Sequence, residues 1–258
     1  MSGIATDRLE RLSEGERWLA DERGVAHGAG GLLERLVDMT RATEWLEACR
    51  RVGKKWALPV LVVRAVAIAL ARRPELGSTI VGYRTLIPGR VDIGLSASGL
   101  TEAVPLLLPS ADRLTLAALA SAVEQAEVGA GAAPWRWRWL APFGWLRRAL
   151  LRWLGRSFRL SRSVGGTFQV TCASGVDLVA PLRFHTGCAL GAGRVREVAL
   201  AVDGRISSRK VMTLTLVADH VAMDGVRAAA LLNEIAGVLE GDGLAGEMGP
   251  PGPLTPRA

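Results

Sequence analysis

The pattern of apolar and polar residues along the chain predicts helices and strands in an irregular order. The strongest helical pattern covers residues 226–240, where apolar side chains recur on one stripe. The clearest strand covers residues 210–218, because apolar residues alternate there with Thr213 and Thr215. Further helices are predicted at residues 8–23, 40–51, 57–73 and 112–128, and further strands at residues 91–97, 103–108, 167–171, 178–183 and 195–202. This order favours an α/β (α+β) fold, a mixed β-sheet covered by helices, over a doubly wound fold.

Residues that start or stop helices sharpen these boundaries. Thr40 and Asp112 are predicted N-caps, because their side chains accept hydrogen bonds from the first free backbone N–H groups of a helix. Pro74 is expected to end the helix at residues 57–73. That helix is the most apolar part of the chain, but Pro59 and Arg64 interrupt it. It is therefore predicted to be a buried helix and not a membrane span.

Composition narrows the class of protein. The 258 residues are 49% hydrophobic and 22% charged, which allows a sizeable core and excludes disorder for most of the chain. The three cysteines contain no CxxC pair, which excludes a disulfide framework and a cysteine-built zinc site. The charged N-terminus has no apolar leader-like run, so the prediction is a cytoplasmic protein.

Net charge is concentrated in one part of the chain. The total is +7, but residues 128–176 contain eight arginines and no acidic residue, so that part carries +8 and the remainder −1. Basicity is a local feature, which argues against nucleic acid as a partner.

A Trp/Arg segment at about residues 134–160 holds five of the eight tryptophans. Three interpretations stay open for it. In the first, it is an interfacial helix in peripheral contact with an anionic membrane. In the second, it is a lid, a subunit contact, or a docking surface for an acidic carrier protein. In the third, it is an ordinary helix that packs its tryptophans on the sheet.

The candidate chemistry lies at one strand-to-helix junction. Residues 219–225 read DHVAMDG, so His220, Asp224 and Gly225 form an HxxxDG motif directly after the strand at residues 210–218. A histidine at a strand end can reach a cleft and act as a base near neutral pH, or it can be purely structural. Asp224 is placed to cap the following helix or to pair with a buried arginine. Gly225 would let the backbone turn tightly.

This motif and its flanks resemble a known family. MTLTLVADHVAMDGVRAAALLNEIAGVLE resembles the end of the catalytic domain of the 2-oxoacid dehydrogenase acyltransferases, which belong to the chloramphenicol acetyltransferase-like superfamily. GGTFQVTCASGVDLVAPL, VDIGLSASGLTEAVPLLLPSADRLTLAALASAVEQA and LPVLVVRAVAIALARRPEL follow other parts of that domain. The resemblance implies a two-layer sandwich over residues 1–240, with the Trp/Arg segment at about residues 134–160 as an insertion. The Gly- and Pro-rich composition of residues 241–258 predicts a disordered tail.

The resemblance also implies roles for individual residues. His220 is the general base that takes a proton from the acceptor, and Thr171 is the hydroxyl that stabilises the oxyanion. The family has a serine at that position, and Ser174 is the alternative. Asp224 is expected to hold Arg17 and so to fix the His220 turn.

The function implied is acyl transfer, most simply of acetyl, from a CoA or carrier-protein thioester to a hydroxyl of a small metabolite such as a tetronate-type intermediate. No cofactor or metal is permanently bound in this interpretation, and acetyl-CoA or another acyl thioester is a co-substrate. The active form is expected to be a homotrimer whose sites combine His220 of one chain with Thr171 of the next. Neither a lipoyl domain nor a subunit-binding domain is recognised, so a free-standing catalytic domain is expected. Two alternatives remain: a non-catalytic or core-forming subunit of a dehydrogenase-type complex, and a cyclase or condensation enzyme that reuses the fold.

The remaining candidate residues are expected to be structural. His27 and His185 are predicted surface residues, because no metal ligand or nucleophile stands beside them in the sequence. Cys172 follows Thr171 but has no activating base, so packing is its predicted role.

Overall fold

A computed structural model describes residues 7–11, 30–54, 56–81, 84–97, 105–129, 145, 162–163, 165–181, 186–202, 204–241 and 244. Four helices lie within these ranges: α1 (Thr40–Arg51), α2 (Leu58–Arg72), α3 (Leu116–Gly129) and α4 (Gly225–Glu240). The same ranges contain the strands β1 (Arg8–Arg11), β2 (Gly30–Asp38), β3 (Thr79–Val81), β4 (Arg84–Ile87), β5 (Ile93–Ala97), β6 (Leu106–Leu108), β7 (Phe168–Cys172), β8 (Cys188–Val202) and β9 (Arg205–Asp219).

The main sheet has six strands in the order β2-β9-β8-β7-β5-β6. Strands β5, β7 and β8 run parallel, and the other neighbours are antiparallel. A second, three-stranded sheet has the order β1-β4-β3. The mixed sheet with helical cover that the residue pattern predicts is thereby confirmed.

The two faces of the main sheet differ in composition. One face is apolar and packs on α2 and α4, and its fully buried side chains include Ile93, Leu95, Phe168, Val170, Leu190, Leu214 and Leu216. Burying each such side chain contributes about 1.5–3 kcal/mol, so this layer holds the fold together. The alternate positions of β5, β7 and β8 are small or polar, among them Gly94, Ser96, Thr171 and Gly191. On this outer face the side chains of Ser96 and Thr171 remain partly exposed.

Most helix predictions are confirmed, but both predicted caps are wrong. Helix α1 begins at Thr40 itself, with Met39 as N-cap and the Asp38 carboxylate accepting from the Thr40 N–H at 2.9 Å. Asp112 lies in a short 3-10 turn, and α3 begins only at Leu116, where the Thr115 hydroxyl accepts from the Ala118 N–H at 3.2 Å. In each case the side chain of a different residue, Asp38 or Thr115, accepts the hydrogen bond at the start of the helix.

Three segments differ from the predictions because tertiary pairing outweighs local propensity. Residues 8–11 form β1, paired antiparallel with β4, and not the start of a helix; residues 12–23 of that predicted helix lie outside the described residues. Strand β2 was not predicted, although its pairing with β9 covers nine residue pairs. Residues 178–181 are not a strand, because their backbone crosses the outer face of β8 at Gly191.

The predicted strands at residues 195–202 and 210–218 are parts of one long hairpin. Strands β8 and β9 have 15 residues each and turn at Gly204, which has a φ of +75°. The predicted tail lies outside the described residues, except for Gly241 and Leu244, and Leu244 is buried in the core.

Candidate active site

His220 follows β9 directly and stands in the turn that leads into α4. Its side chain is exposed, whereas the next three residues, Val221, Ala222 and Met223, are buried. The alternation of β9 buries Ala218 on the apolar face, and the turn then anchors its own apolar residues in the core. The imidazole is therefore carried on a firmly packed turn and is exposed to solvent.

Asp219 holds this turn from inside. Its carboxylate is buried and accepts from the Val221 N–H at 3.1 Å, while its carbonyl accepts from the Met223 N–H at 2.8 Å. The Asp219 N–H donates to the Gly187 carbonyl at 2.8 Å, which ties the turn to the start of β8. Satisfied polar groups of this kind make a buried turn rigid.

Arg227 connects the turn to a second part of the chain. Its guanidinium donates to the Glu75 carbonyl at 2.8 Å, in the 3-10 turn (Pro74–Gly77) after α2. The N-terminus of a helix is the positive end of its dipole, so an arginine in the first turn is electrostatically unfavourable. The hydrogen bond to the Glu75 carbonyl compensates for this position. No motif in the sequence points to Arg227, because only folding brings the Glu75 carbonyl within its reach.

Asp224 is the N-cap of α4. Its carboxylate accepts from the Arg227 N–H at 2.8 Å, which is the capping alternative left open by the sequence. The expected partner in the other alternative, Arg17, lies outside the described residues. Gly225 begins α4 without a left-handed φ, and a Cβ there would meet nothing within 4 Å. The expectation that Gly225 serves a tight turn is therefore wrong for this chain, because the turn precedes it.

Thr171 stands on β7 in the middle of the main sheet. It is half-buried, and its neighbours across the sheet are Ser96 on β5 and Gly191 on β8. Because directly paired residues share a face, its side chain lies on the outer face with theirs. Ser174, the alternative hydroxyl, is exposed in a turn beyond the end of β7.

His220 and Thr171 are far apart within one chain. The register aligns Thr171 with Gly191 and Gly191 with Thr215, so two strand spacings separate Thr171 from β9. His220 then follows Thr215 by five residues. With about 4.8 Å per strand and about 3.4 Å per residue, the two backbones are roughly 20 Å apart. Side chains of this size do not span that distance, so one chain alone does not unite the two groups.

A buried carboxylate that pairs with two partly exposed arginines supports the start of β7. The Asp92 carboxylate, with 2% of its side chain exposed, binds Arg162 Nε at 2.7 Å and Arg90 Nε at 2.8 Å. Burial raises the pKa of the Asp92 carboxyl, but hydrogen bonds from Arg90, Arg162 and the Ser110 N–H more than offset this and hold the pKa below its usual range. The Asp92 carbonyl also accepts from the Thr167 N–H at 2.7 Å.

Glycines let these backbones meet. Gly166 has a φ of +78°, and a Cβ on it would collide with the Asp92 carbonyl; a Cβ on Gly94 would collide with the Gly165 carbonyl. The Gly-Gly pair before β7 was the sequence signal for this close approach.

The remaining candidates do not join a site. Burial raises the pKa of the Cys172 thiol to about 12, so this side chain stays protonated near neutral pH and acts in packing. His27 and His185 lie outside the described residues. The described part of the chain contains no group of three His, Cys, Asp or Glu side chains able to hold a metal ion.

The Trp/Arg segment is described at one residue. Trp145 is 70% exposed, and the other residues from 134 to 160 lie outside the described ranges, so its three interpretations stay predictions. None of the described helices is long and apolar enough to cross a membrane.

Comparison with known proteins agrees with the resemblance seen in the sequence. Residues 153–244, which include Thr171 and His220, match the family "2-oxoacid dehydrogenases acyltransferase (catalytic domain)". No curated protein matches the chain in sequence.

Several solved structures share the fold at low sequence identity. A dihydrolipoamide acetyltransferase of Azotobacter vinelandii, studied for the catalytic role of a serine, a histidine and an asparagine, is 19% identical with a TM-score of 0.61, covering 90% of this chain and 88% of its own. The cubic core of a pyruvate dehydrogenase multienzyme complex is 18% identical with a TM-score of 0.60, covering 95% and 93%. A chloramphenicol acetyltransferase is 12% identical with a TM-score of 0.52, covering 92% and 100%. The chain therefore has the chloramphenicol acetyltransferase-like fold, and its C-terminal part carries the match to the acyltransferase catalytic domain.

Proposed function

We propose that this chain is an acyltransferase that moves an acyl group, most simply acetyl, from a CoA or carrier-protein thioester to a hydroxyl of a small metabolite. The observation that carries the proposal is that the family match over residues 153–244 includes both Thr171 and His220. Each occupies a position suited to its role: an exposed imidazole on a rigid turn, and a half-buried hydroxyl on the outer face of the sheet.

In the proposed reaction His220 takes the proton of the acceptor hydroxyl, and the oxygen attacks the thioester carbonyl. The carbon–oxygen bond forms, and the former carbonyl oxygen becomes an oxyanion that accepts a hydrogen bond from Thr171. Collapse of this intermediate breaks the carbon–sulfur bond, and the imidazolium returns its proton to the departing thiolate. Loss of one oxyanion donor typically lowers kcat by about 10²–10³.

The site lies between chains in this proposal. Since roughly 20 Å separates the two backbones within one chain, His220 meets the Thr171 of a neighbouring chain. A closed homotrimer gives three equivalent interfaces and three complete sites. The similarity to an oligomeric dehydrogenase core supports such an assembly. Exposed apolar residues on the edge strand β2, Leu32 and Leu36, are also suited to burial in an interface.

The first test is His220-dependent release of CoA. The full chain is incubated with acetyl-CoA alone, with chloramphenicol as a hydroxyl acceptor, or with dihydrolipoamide as a thiol acceptor, and the acetylated product is followed by mass spectrometry. Transfer to the hydroxyl supports the proposal, whereas transfer to dihydrolipoamide alone supports the dehydrogenase-core alternative. CoA release that is equal in wild type and His220→Ala contradicts both.

Complementation tests the shared site. Inactive His220→Ala chains are mixed with inactive Thr171→Ala chains under conditions that allow subunit exchange. If the site is shared, about a quarter of the interfaces in equally mixed closed trimers combine two intact residues, and activity returns to that extent. If both residues belong to one chain, no activity returns. An active monomer in light scattering would refute the shared site as well.

A further inference from the structure

Ser96 is the residue directly beside Thr171 across the sheet. Strands β5 and β7 are parallel, and their register pairs Ser96 with Thr171. Both side chains are half-buried, and as directly paired residues they lie on the same outer face. Neighbouring strands are about 4.8 Å apart, so two hydroxyls on these residues can approach one oxygen atom together.

The backbone covers the sheet on both sides of this hydroxyl pair. The Gly165 carbonyl packs on Gly94 of β5, and the Val179 carbonyl packs on Gly191 of β8, each closer than any side chain would allow. Ser96 and Thr171 remain partly exposed between these two covered positions. The pair therefore lies on a partly covered region of the outer face and not on a fully solvated surface.

The other hydroxyls around β7 are already used in holding the fold. Thr167 Oγ1 donates to the Asp92 carbonyl at 3.1 Å, and Thr215 Oγ1 donates to the Val179 carbonyl. Among the described residues, by contrast, neither Ser96 nor Thr171 makes a side-chain hydrogen bond. Two adjacent donors are thus left for a ligand.

We propose that Ser96 donates a second hydrogen bond to the oxyanion that Thr171 binds, so that the oxyanion site of this chain is a pair of hydroxyls on adjacent strands. This role rests on the function proposed above. An oxyanion accepts more than one hydrogen bond, and a threonine hydroxyl supplies one donor. Ser96 makes and breaks no covalent bond and loses no proton; it stabilises charge that develops on the substrate.

The experiment compares Ser96→Ala, Ser96→Thr and a control variant, Ser121→Ala, whose hydroxyl is exposed on helix α3. CoA release from acetyl-CoA with chloramphenicol is measured at varied acetyl-CoA. We expect Ser96→Ala to lower kcat by about 10²-fold, in the range for loss of one oxyanion donor, with little change in KM. Ser96→Thr keeps a hydroxyl and should recover most of the rate, and Ser121→Ala should match wild type.

The double variant Ser96→Ala/Thr171→Ala separates a shared oxyanion from two independent effects. Donors to one atom act as a unit, so the double variant should lose much less than the product of the two single losses. An active wild type together with a Ser96→Ala variant of unchanged kcat would overturn this role alone. A wild type without His220-dependent release would overturn the proposed function and this role with it. Equal losses in Ser96→Ala and Ser96→Thr, accompanied by a lowered Tm, would identify Ser96 as structural and also overturn the proposal.

Discussion

The turn that carries His220 and the strand that carries Thr171 differ in what holds each of them in place. The turn is held mainly by near neighbours in sequence: Asp219 bonds to Val221 and Met223, and the side chain of Asp224 bonds to the N–H of Arg227. Strand β7 is held by residues distant in sequence, namely β5 on one side, β8 on the other and the Asp92 network at its start.

This difference determines how substitutions in the two regions should act. Locally bonded turns lose little stability when one exposed side chain is removed, so changes at His220 should affect rate and leave folding intact. The start of β7 depends on long-range pairing and on the buried Asp92 carboxylate, so changes in the Asp92 network should lower stability.

The largest expected effect is a loss of kcat when His220, in the turn after β9, is replaced. His220→Ala should lower kcat by about 10²–10⁴, because the proposed general base is lost, and should leave Tm unchanged, because the imidazole is exposed. Steady-state kinetics and thermal unfolding of the same preparation check both parts. A variant that keeps more than about a tenth of the wild-type turnover would show that His220 is not the base.

The next effect is on stability beside β7. Asp92→Asn removes the charge that Arg90 and Arg162 face and should lower the free energy of unfolding by about 3 kcal/mol, or Tm by about 6–12 °C. The matched control is Asp177→Asn, which breaks an exposed ion pair with Arg194 and should change Tm little. Equal Tm values for the two variants would contradict the prediction that the buried Asp92 carboxylate contributes more to stability than the exposed Asp177 carboxylate.

The same carboxylate should make stability depend on pH. The pKa of Asp92 lies lower in the folded chain than its unfolded value of about 3.9, so its contribution to stability is present above that pH and is lost as the pH falls toward the folded pKa. Urea unfolding of wild type and Asp92→Asn between pH 5 and about pH 2.5 measures the difference. The gap between the two proteins should narrow with acidification, and a gap that widens would contradict this prediction.

A smaller effect is expected at the start of α4. Asp224→Ala removes an N-cap and should lower the free energy of unfolding by about 1 kcal/mol, while Asp224→Asn keeps a capping oxygen and should behave like wild type. A loss of about 3–5 kcal/mol would instead reveal a buried arginine partner such as Arg17. Lost activity at normal Tm would show that Asp224 takes a direct part in the chemistry.

The smallest effect concerns the thiol next to Thr171. Because burial raises the pKa of Cys172 to about 12, a thiol reagent at pH 7.5 should not modify it in the folded chain. Mass spectrometry after labelling, with a urea-unfolded sample as the positive control, measures this. Rapid modification of the native protein would show that β7 opens more readily than its buried pairing implies.

Some elements follow from local sequence alone. The apolar stripe of α4 places Leu231, Ile235 and Leu239 in the core as its period predicts, because a helix that satisfies its own backbone needs only one apolar face. The turn around His220 is similar, since Asp219 and Asp224 bond within a few residues. The local pattern does not predict strand β2, because its backbone partners come from β9, which lies far away in the chain.

Local sequence specifies the candidate residues and the periodic elements that carry them: the HxxxDG junction with His220, the strand with Thr171, and the helices that cover the sheet. Their positions relative to one another depend on the folded chain. Sheet order and register depend on backbone hydrogen bonds between distant segments, which no local pattern specifies. The register of β5 and β7 places Ser96 directly beside Thr171. The register of β7, β8 and β9 places the backbones of Thr171 and His220 roughly 20 Å apart. Long-range packing likewise brought Arg227 to Glu75 and Arg162 to Asp92.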